Sequence, residues 1–190
     1  ENTVWAGMTH HGLFRIDAES LQAVYVEGTK DLEILDVDIA ENGAIWFSTI
    51  RSGVFRFDPE STTVTQYPTP KPTSVYTLDA WEDGSIWYAA DEVGIVQMQP
   101  RKGGGFDERI IVDPDNNSRR LFNHLRLTGP DAAWISTEEG GVFYYESGQF
   151  TDYGSHSPLA DQTAYLVEPL ENGTVVVGGE QGLYQFVPGE

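Results

Sequence analysis

The stretch GAIWFSTIRSGVFRFDP occupies residues 43–59 and joins two short apolar segments through a polar loop. The first segment carries Trp46, and the second begins after Gly53. Short runs of β-branched and aromatic residues bounded by glycine, serine and proline are typical of β-strands. Asn42 and Gly43 precede the first segment, and this pair favours a tight hairpin. The stretch therefore predicts neighbouring strands of an antiparallel sheet.

The same pattern returns along the whole chain at a nearly constant spacing. Trp5, Trp46, Trp87 and Trp134 are separated by 41, 41 and 47 residues, and Val176 takes the corresponding place 42 residues further on. A glycine-led second segment follows each of them: GLFRID at 12–17, GVFRFD at 53–58, GIVQMQ at 94–99, GVFYYE at 141–146 and GLYQFV at 182–187. A repeat of this length, built from short strands, predicts an all-β array of the β-propeller type with four-stranded antiparallel blades.

The repeat also predicts how the chain is divided. We expect one propeller domain over 1–190, with repeat units at about 1–30, 31–72, 73–118, 119–160 and 161–190. Three strands in each terminal unit and four in each inner unit predict 18 strands, or about four to five blades of a partial propeller. The chain then forms either an open arc or a small ring closed by its two incomplete ends. An open arc exposes apolar blade faces, which favours self-association.

Composition excludes several classes of partner. The formal net charge is −19, so the surface repels nucleic-acid phosphates and anionic membranes. No apolar run approaches the ~20 residues that cross a bilayer, and we expect no membrane contact by this segment. Cysteine is absent, which excludes disulfides and cysteine chemistry.

The segments described above resemble the two-component regulator propeller repeat. The resemblance lies in Asn42 to Trp46 with Gly53 to Pro59, and again in Asp83 to Trp87 and in Gly141 to Tyr145. It implies the periplasmic sensor region of a membrane-bound signalling protein of the histidine kinase or diguanylate cyclase type. Such repeats share no catalytic residues, so the resemblance implies a non-enzymatic ligand-sensing module without a cofactor, whose ligand is a small molecule or a glycan.

Alignment on the tryptophans places polar residues in columns on the innermost strand of each blade. These columns predict a ligand-binding site in the central channel, formed by Asp36, Asp38, Asp79, His124, Arg126 and Glu168. Arg126 is suited to bridge Asp79 and Glu168, because buried charges must be paired or hydrated. The alternative is a water-filled channel in which the same side chains make structural hydrogen bonds. No metal site is predicted at these residues.

Other interpretations remain open at this stage. Streptogramin-lyase-like propellers resemble this repeat and are metal-dependent enzymes; such an activity would require His124 near Glu138 or Glu139. The chain could instead be a protein-interaction scaffold that docks through an acidic face or through the insertion Arg101–Arg120, since insertions in repeat proteins are often on the binding face. Four aromatic residues lie near the ends of inner strands: Tyr76, Tyr165, Trp81 and Phe122. They suit stacking on a sugar or peptide if they are exposed, and blade core if they are not.

Overall fold

The structure is a computed structural model that describes residues 2–69, 71–111, 121–138, 140–155, 157–160 and 162–189. These residues form 18 β-strands and contain no helix. The strands make five antiparallel sheets of three, four, four, four and three strands in chain order. The sheets are arranged as a five-blade β-propeller, which confirms the predicted fold class.

Each blade is a meander in which consecutive strands are hydrogen-bonded neighbours. Blade 1 contains β1 to β3, at Thr3–Met8, Gly12–Asp17 and Ala23–Tyr25. Blade 2 contains β4 to β7, at Ile34–Ile39, Ile45–Thr49, Gly53–Asp58 and Thr63–Tyr67. Blade 3 contains β8 to β11, at Val75–Ala80, Ile86–Ala90, Gly94–Pro100 and Phe106–Ile111. Blade 4 contains β12 to β15, at Phe122–Gly129, Ala132–Thr137, Val142–Glu146 and Gln149–Asp152. Blade 5 contains β16 to β18, at Ala164–Pro169, Val175–Gly179 and Gly182–Phe186.

The tryptophan-bearing strands form the core of the array. Every residue of β5, β9 and β13 is buried, because each of these strands is covered on both faces by neighbouring blades. Trp46 packs with Ile86 and Tyr88 of blade 3, and Trp134 packs with Val175 and Val177 of blade 5. Each of these two indoles therefore points to the next blade and fills the seam between two sheets, which explains why tryptophan recurs at one place in the repeat.

Glycine at the start of the third strand has a steric cause. Gly53 has a φ of +81°, and a Cβ atom added to it would lie 2.9 Å from the carbonyl oxygen of Tyr67. A left-handed backbone and a close approach by the outer strand both exclude a side chain there.

The composition of the insertion Arg101–Arg120 is typical of a loop, but part of the insertion is a strand. Phe106–Ile111 is β11, the outer strand of blade 3, and it pairs with β10 in a regular antiparallel register. Arg101 begins a turn that leads into this strand, with its backbone N–H bonded to the Gly105 carbonyl. The rest of the insertion, 112–120, lies outside the described residues. A surface-docking role for this segment stays a prediction.

The array has two free faces. Blades that are neighbours in the chain contact each other, mainly through β1, β4, β8, β12 and β16. Among the described residues, no extensive contact joins blade 1 to blade 5. The outer face of blade 5 carries Leu166, Leu170 and Leu183, of which Leu183 is 77% exposed. Val4 and Met8 are similarly exposed on the outer face of blade 1. Apolar side chains that inner blades bury are therefore open to solvent at both ends of the arc.

Candidate ligand site along the inner strands

The inner strands β4, β8, β12 and β16 share a backbone irregularity near their first residue. In each strand the pairing with the second strand skips one residue, which is the signature of a β-bulge. The skipped residues, which we call the bulge row, are Leu35, Tyr76, Asn123 and Tyr165. A bulge bends the strand and redirects its side chains, so four blades place one extra residue at the same level of the ring. We call this end of the ring, where the inner strands begin, the top face.

The residues directly after the bulges hydrogen-bond to the next blade. A carboxylate oxygen of Asp36 accepts from the Thr77 hydroxyl at 2.9 Å and from the Leu78 backbone N–H at 3.0 Å. The Thr77 hydroxyl oxygen accepts in turn from the Leu125 backbone N–H at 3.4 Å. His124 continues the row, because its Nδ1 atom accepts from the Val167 backbone N–H at 3.4 Å. The row links the inner strands of blades 2 to 5.

A second row lies two residues further along each strand, on the same side because strand side chains alternate. Asp38 accepts from the Ala80 backbone N–H at 2.8 Å, and Asp79 accepts from the Leu127 backbone N–H at 2.7 Å. Arg126 takes the same place in blade 4 but has no acceptor atom. Its guanidinium instead donates to Asp79 at 3.3 Å and to Glu168 at 2.8 Å.

The six predicted site residues are therefore brought together, as members of one inter-blade ladder. The predicted bridge from Arg126 to Asp79 and Glu168 is present. An inner strand is a sheet edge, so its N–H groups that point away from the second strand have no backbone partner within the blade, and these side chains supply partners for several of them. Because the carboxylate and imidazole atoms are engaged in this way, the geometry favours the structural alternative for the two rows. Ligand binding by the six residues stays a prediction.

Burial dominates the electrostatics of the ladder. Burial, with a smaller effect of the neighbouring Asp38 carboxyl group, raises the pKa of Asp79 from 3.8 to about 7, against the opposing effects of the Leu127 N–H and the Arg126 charge. Burial also lowers the pKa of His124, and the charge of Arg126 acts in the same direction. A neutral His124 suits its position, because a protonated Nδ1 could not accept the Val167 N–H.

The Asp79 carboxyl predicts a measurable dependence of stability on pH. Its pKa is higher in the folded chain, so its contribution to folding is complete below 3.8 and is lost as the pH rises through about 7. We expect the free energy of unfolding to fall by about 1–3 kcal/mol across this window on account of Asp79. Denaturant unfolding of the native chain and of Asp79→Asn, from pH 4.5 to 8, measures the difference. Parallel pH profiles for the two proteins would contradict the assignment.

The backbone bulge is the part of the site that the repeat pattern did not predict, and it determines the exposure of the two tyrosines that the sequence indicated as stacking candidates. Tyr165 is 56% exposed, and Tyr76 is 36% exposed with its hydroxyl donating to Asp91 at 2.9 Å. Asn123 lies between them in blade order and donates to the Ala164 carbonyl oxygen at 3.0 Å. Acidic residues of the adjoining loops share this face, and burial together with the Asp91 hydrogen bond raises the pKa of Tyr76. One signal was available: the Tyr76 and Tyr165 positions coincide in the aligned repeats.

Two other expectations concern metal chemistry. His124, required by a lyase-like site, has its Nδ1 atom engaged by blade 5, and Glu139 lies outside the described residues. Over the described ranges, no group of three or more histidine and carboxylate side chains is placed to hold a metal ion. His10 lies close to Glu33 across blades 1 and 2, with 3.1 Å between its Nδ1 atom and the carboxylate. The structure leaves catalysis undecided.

Comparisons with known proteins agree with this architecture. No protein-family model matches the sequence, and neither does any curated protein. Among solved structures, an extracellular domain assigned to the hybrid two-component system BT4673 of B. thetaiotaomicron superposes with a TM-score of 0.75 at 15% identity, over 97% of this chain and 25% of that one. Virginiamycin B lyase from Staphylococcus aureus gives a TM-score of 0.69 at 16% identity, over 99% of this chain and 67% of the lyase. YCF48 bound to D1 peptide gives 0.76 at 11% identity, over 98% of this chain and 60% of that one.

The similarities extend over only part of each of these proteins. The chain spans about a quarter of the two-component system domain and 60 to 67% of the other two proteins. Their chemistry differs, since one is a lyase and another binds a peptide. No helix among the described residues is long and apolar enough to cross a membrane. At these sequence identities, the similarity establishes for this chain the β-propeller fold.

Proposed function

We propose that the chain is a non-catalytic ligand-binding module of a sensor region outside the cytoplasm. The extracytoplasmic location is supported by the structural similarity to the extracellular domain of a two-component system. The repeat segments that resemble two-component regulator propellers support the same setting. The ligand class we favour is a small molecule or glycan that binds at the top face.

One observation carries this proposal: exposed aromatic side chains sit directly beside the inter-blade ladder. Tyr76 precedes Thr77, and Thr77 bonds to both Asp36 and the Leu125 backbone. Tyr165 lies two residues before Val167, whose N–H bonds to His124. A ligand that stacks on these rings therefore binds next to residues that connect the blades. Aromatic surfaces with a few polar groups are common features of ligand sites.

The test uses linear oligosaccharides as probes, namely gluco-, xylo- and mannohexaose. We expect at least one to bind with an affinity that Tyr165→Ala lowers about tenfold, since loss of one stacking ring is worth about 1 kcal/mol or more. Leu183→Ala is the matched control, because it removes an exposed apolar side chain on the outer face of blade 5. Isothermal titration calorimetry gives the affinities.

The coupling part of the proposal has its own readout. On binding, the amide resonances of the ladder donors Leu78, Leu125 and Val167 should shift in a heteronuclear NMR titration. No binding by any of the three probes, or equal affinities in Tyr165→Ala and the native chain, would contradict recognition of glycans at the top face. Shifts restricted to the top-face loops would contradict coupling through the ladder.

We also propose that the two free blade faces support self-association. Inside the array, the tryptophan-bearing face of one blade always covers the opposite face of the next. Blade 5 leaves open the face that corresponds to the tryptophan-bearing face of the other blades, and blade 1 leaves open the opposite face. Two copies can therefore associate head to tail. Leu183 and Met8 are exposed members of the two faces. Such a contact is heterologous, because it joins two different surfaces of the two copies.

A mixing experiment distinguishes this arrangement from a symmetric dimer. We expect Leu183→Glu and Met8→Glu each to abolish the association that sedimentation velocity detects in the native chain, because each charge enters an apolar contact. A one-to-one mixture of the two variants should regain a dimer, since each retains the face that the other has lost. A monomeric native chain at all concentrations, or a mixture that stays monomeric, would contradict head-to-tail association.

A further inference from the structure

The seam between blades 1 and 2 contains an open groove that reaches its tryptophan. It has two lobes of about 400 and 590 Å³, and both are lined by Trp5, Arg15 and Pro59. The seam is tight at its top-face end, where a Cβ atom on Gly7 would lie 2.3 Å from the Ile34 side chain. It opens around Trp5, whose indole is only partly buried. Volumes of this size are in the range of small-molecule sites.

The other seams show what normally fills this space. In seam 2–3, Trp46 is flanked by the rings of Tyr67 at 5.1 Å and Phe106 at 5.6 Å. In seam 4–5, Trp134 is flanked by Tyr153 at 5.0 Å and Phe186 at 5.7 Å. These two indoles are only 3% and 4% exposed. Trp5 has a single ring neighbour within such a distance among the described residues, Phe57 at 5.6 Å.

The strand registers identify the substitutions that open the groove. Tyr67 pairs with Val54 on the third strand, and Tyr153 bonds to Val142 at the same place of blade 4. In blade 1 this position is Val26, which bonds to Leu13. Seam 3–4 differs from seam 1–2 at a second position, on the outer strand of the following blade. In seam 3–4 this residue is Phe150, which pairs with Tyr145, and in seam 1–2 it is Val64, which pairs with Phe57.

Two valines thus stand where other seams have aromatic rings. Both lie in the cluster of side chains around Trp5, and Val26 also lines the groove. The space next to the indole is therefore shaped for an aromatic ring that the chain itself does not supply at this seam.

A cation stands beside the exposed indole. Arg15 is the direct cross-strand partner of Trp5, so the two side chains are on the same face of blade 1. Arg15 is exposed and, within the described ranges, forms no hydrogen bond or ion pair. The pKa of nearby Asp17 is lowered mainly by hydrogen bonds from Ser20, and the charge of Arg15 adds a smaller effect in the same direction. The other arginine of the groove, Arg56, is already paired with Asp58 at 3.3 Å.

Acidic residues also line the groove, and they narrow the choice of ligand. Glu27 is in the first lobe, and Asp58 and Glu60 are in the second. Asp58 is engaged by Arg56 and by the backbone N–H groups of Glu60 and Ser61. A ligand with several negative charges would be repelled, whereas a single carboxylate can reach the free guanidinium of Arg15 in a two-pronged hydrogen bond.

We propose that this groove binds an aromatic monocarboxylate. Its phenyl or phenol ring packs on Trp5 and Phe57 in the space left by Val26 and Val64, and its carboxylate bonds to Arg15. This site is on the outer part of seam 1–2 and is independent of the top-face site. An edge-on contact between rings is the arrangement that Trp46 and Trp134 already make with Phe106 and Phe186 in their own seams.

The experiment uses 3-(4-hydroxyphenyl)propionate and its uncharged amide as probes. Titration of the full chain, followed by saturation-transfer NMR, should give a dissociation constant on the order of 0.1–1 mM for the acid. Arg15→Gln should weaken binding of the acid about tenfold and leave that of the amide unchanged. Tyr165→Ala is the matched control and should bind the acid as the native chain does, which separates this result from the proposed top-face site.

A second variant fills the groove with the residues of the other seams. Val26→Tyr combined with Val64→Phe should abolish binding of both probes and leave the melting temperature unchanged or higher. If the filled variant does not fold, the comparison of acid and amide in Arg15→Gln decides alone. Absence of saturable binding by the native chain, or equal binding of the acid by the native chain and Arg15→Gln, overturns the proposal.

Discussion

Replacement of Trp134 by alanine is expected to lower the free energy of unfolding by about 3–5 kcal/mol. The indole is 4% exposed and contacts the rings of Tyr144, Tyr153 and Phe186 at 4.8, 5.0 and 5.7 Å. Its removal leaves a cavity in seam 4–5 that the surrounding strands can fill only in part. The loss also weakens the attachment of blade 5, which contacts the rest of the array through blade 4.

Trp5→Ala is the matched control for this result. The same residue at the same place of the repeat is only partly buried in seam 1–2 and has one close aromatic neighbour among the described residues. We expect its replacement to lower the free energy of unfolding by about 1–2 kcal/mol, because Trp5 buries less apolar surface than Trp134 does. Urea denaturation of both variants measures the difference. Equal losses would show that the indole at Trp5 is as well packed as its counterpart, and would remove the basis for the groove.

Replacement of Arg126 by methionine is expected to destabilise the chain by about 3 kcal/mol at pH 8. The guanidinium binds Asp79 and Glu168, and the Asp79 side chain is only 9% exposed. Methionine keeps much of the buried volume but leaves the Asp79 charge without its cation. Glu168 is more exposed, so its loss of a partner contributes little.

The effect of Arg126→Met should depend strongly on pH. Below the folded-state pKa of about 7, Asp79 holds a proton and needs the cation less. We therefore expect the loss at pH 5 to be about 1 kcal/mol, and smaller than the loss at pH 8. Glu168→Gln is the control, because it removes the exposed end of the bridge and should cost less than 1 kcal/mol. A loss that is the same at pH 5 and pH 8 would contradict the role given to Asp79.

These predictions differ in how far the sequence could have led to them. Spacing between tryptophans placed Asp38, Asp79, Arg126 and Glu168 in one column, and the ion pairs follow from that column. The same counting could not show that Asp79 also accepts the Leu127 N–H, or that Thr77 relays between blades 2 and 4. Those bonds depend on how far each inner strand is shifted along its neighbour, and a shift of one residue exchanges the two faces.

The bulges show the same limit in the backbone. A strict alternation over β8 would send Tyr76 and Leu78 to one side, but the bulge lies between Val75 and Thr77 and changes that order. No residue in this stretch is a glycine or proline that would mark a bulge in advance. The exposure of Tyr76 and Tyr165 was therefore decided by the pairing of the strands.

The sequence by itself determined the repeat, the number of strands and the place of each tryptophan. These are local properties, because strand periodicity and turn residues act within a few positions of one another. Only the tertiary structure decided that the charged columns join blade to blade and that seam 1–2 is open at Trp5. The first depends on registers between strands about 41–48 residues apart. The second depends on Val26 and Val64, which are far apart in the chain and meet beside one indole only when two blades stack.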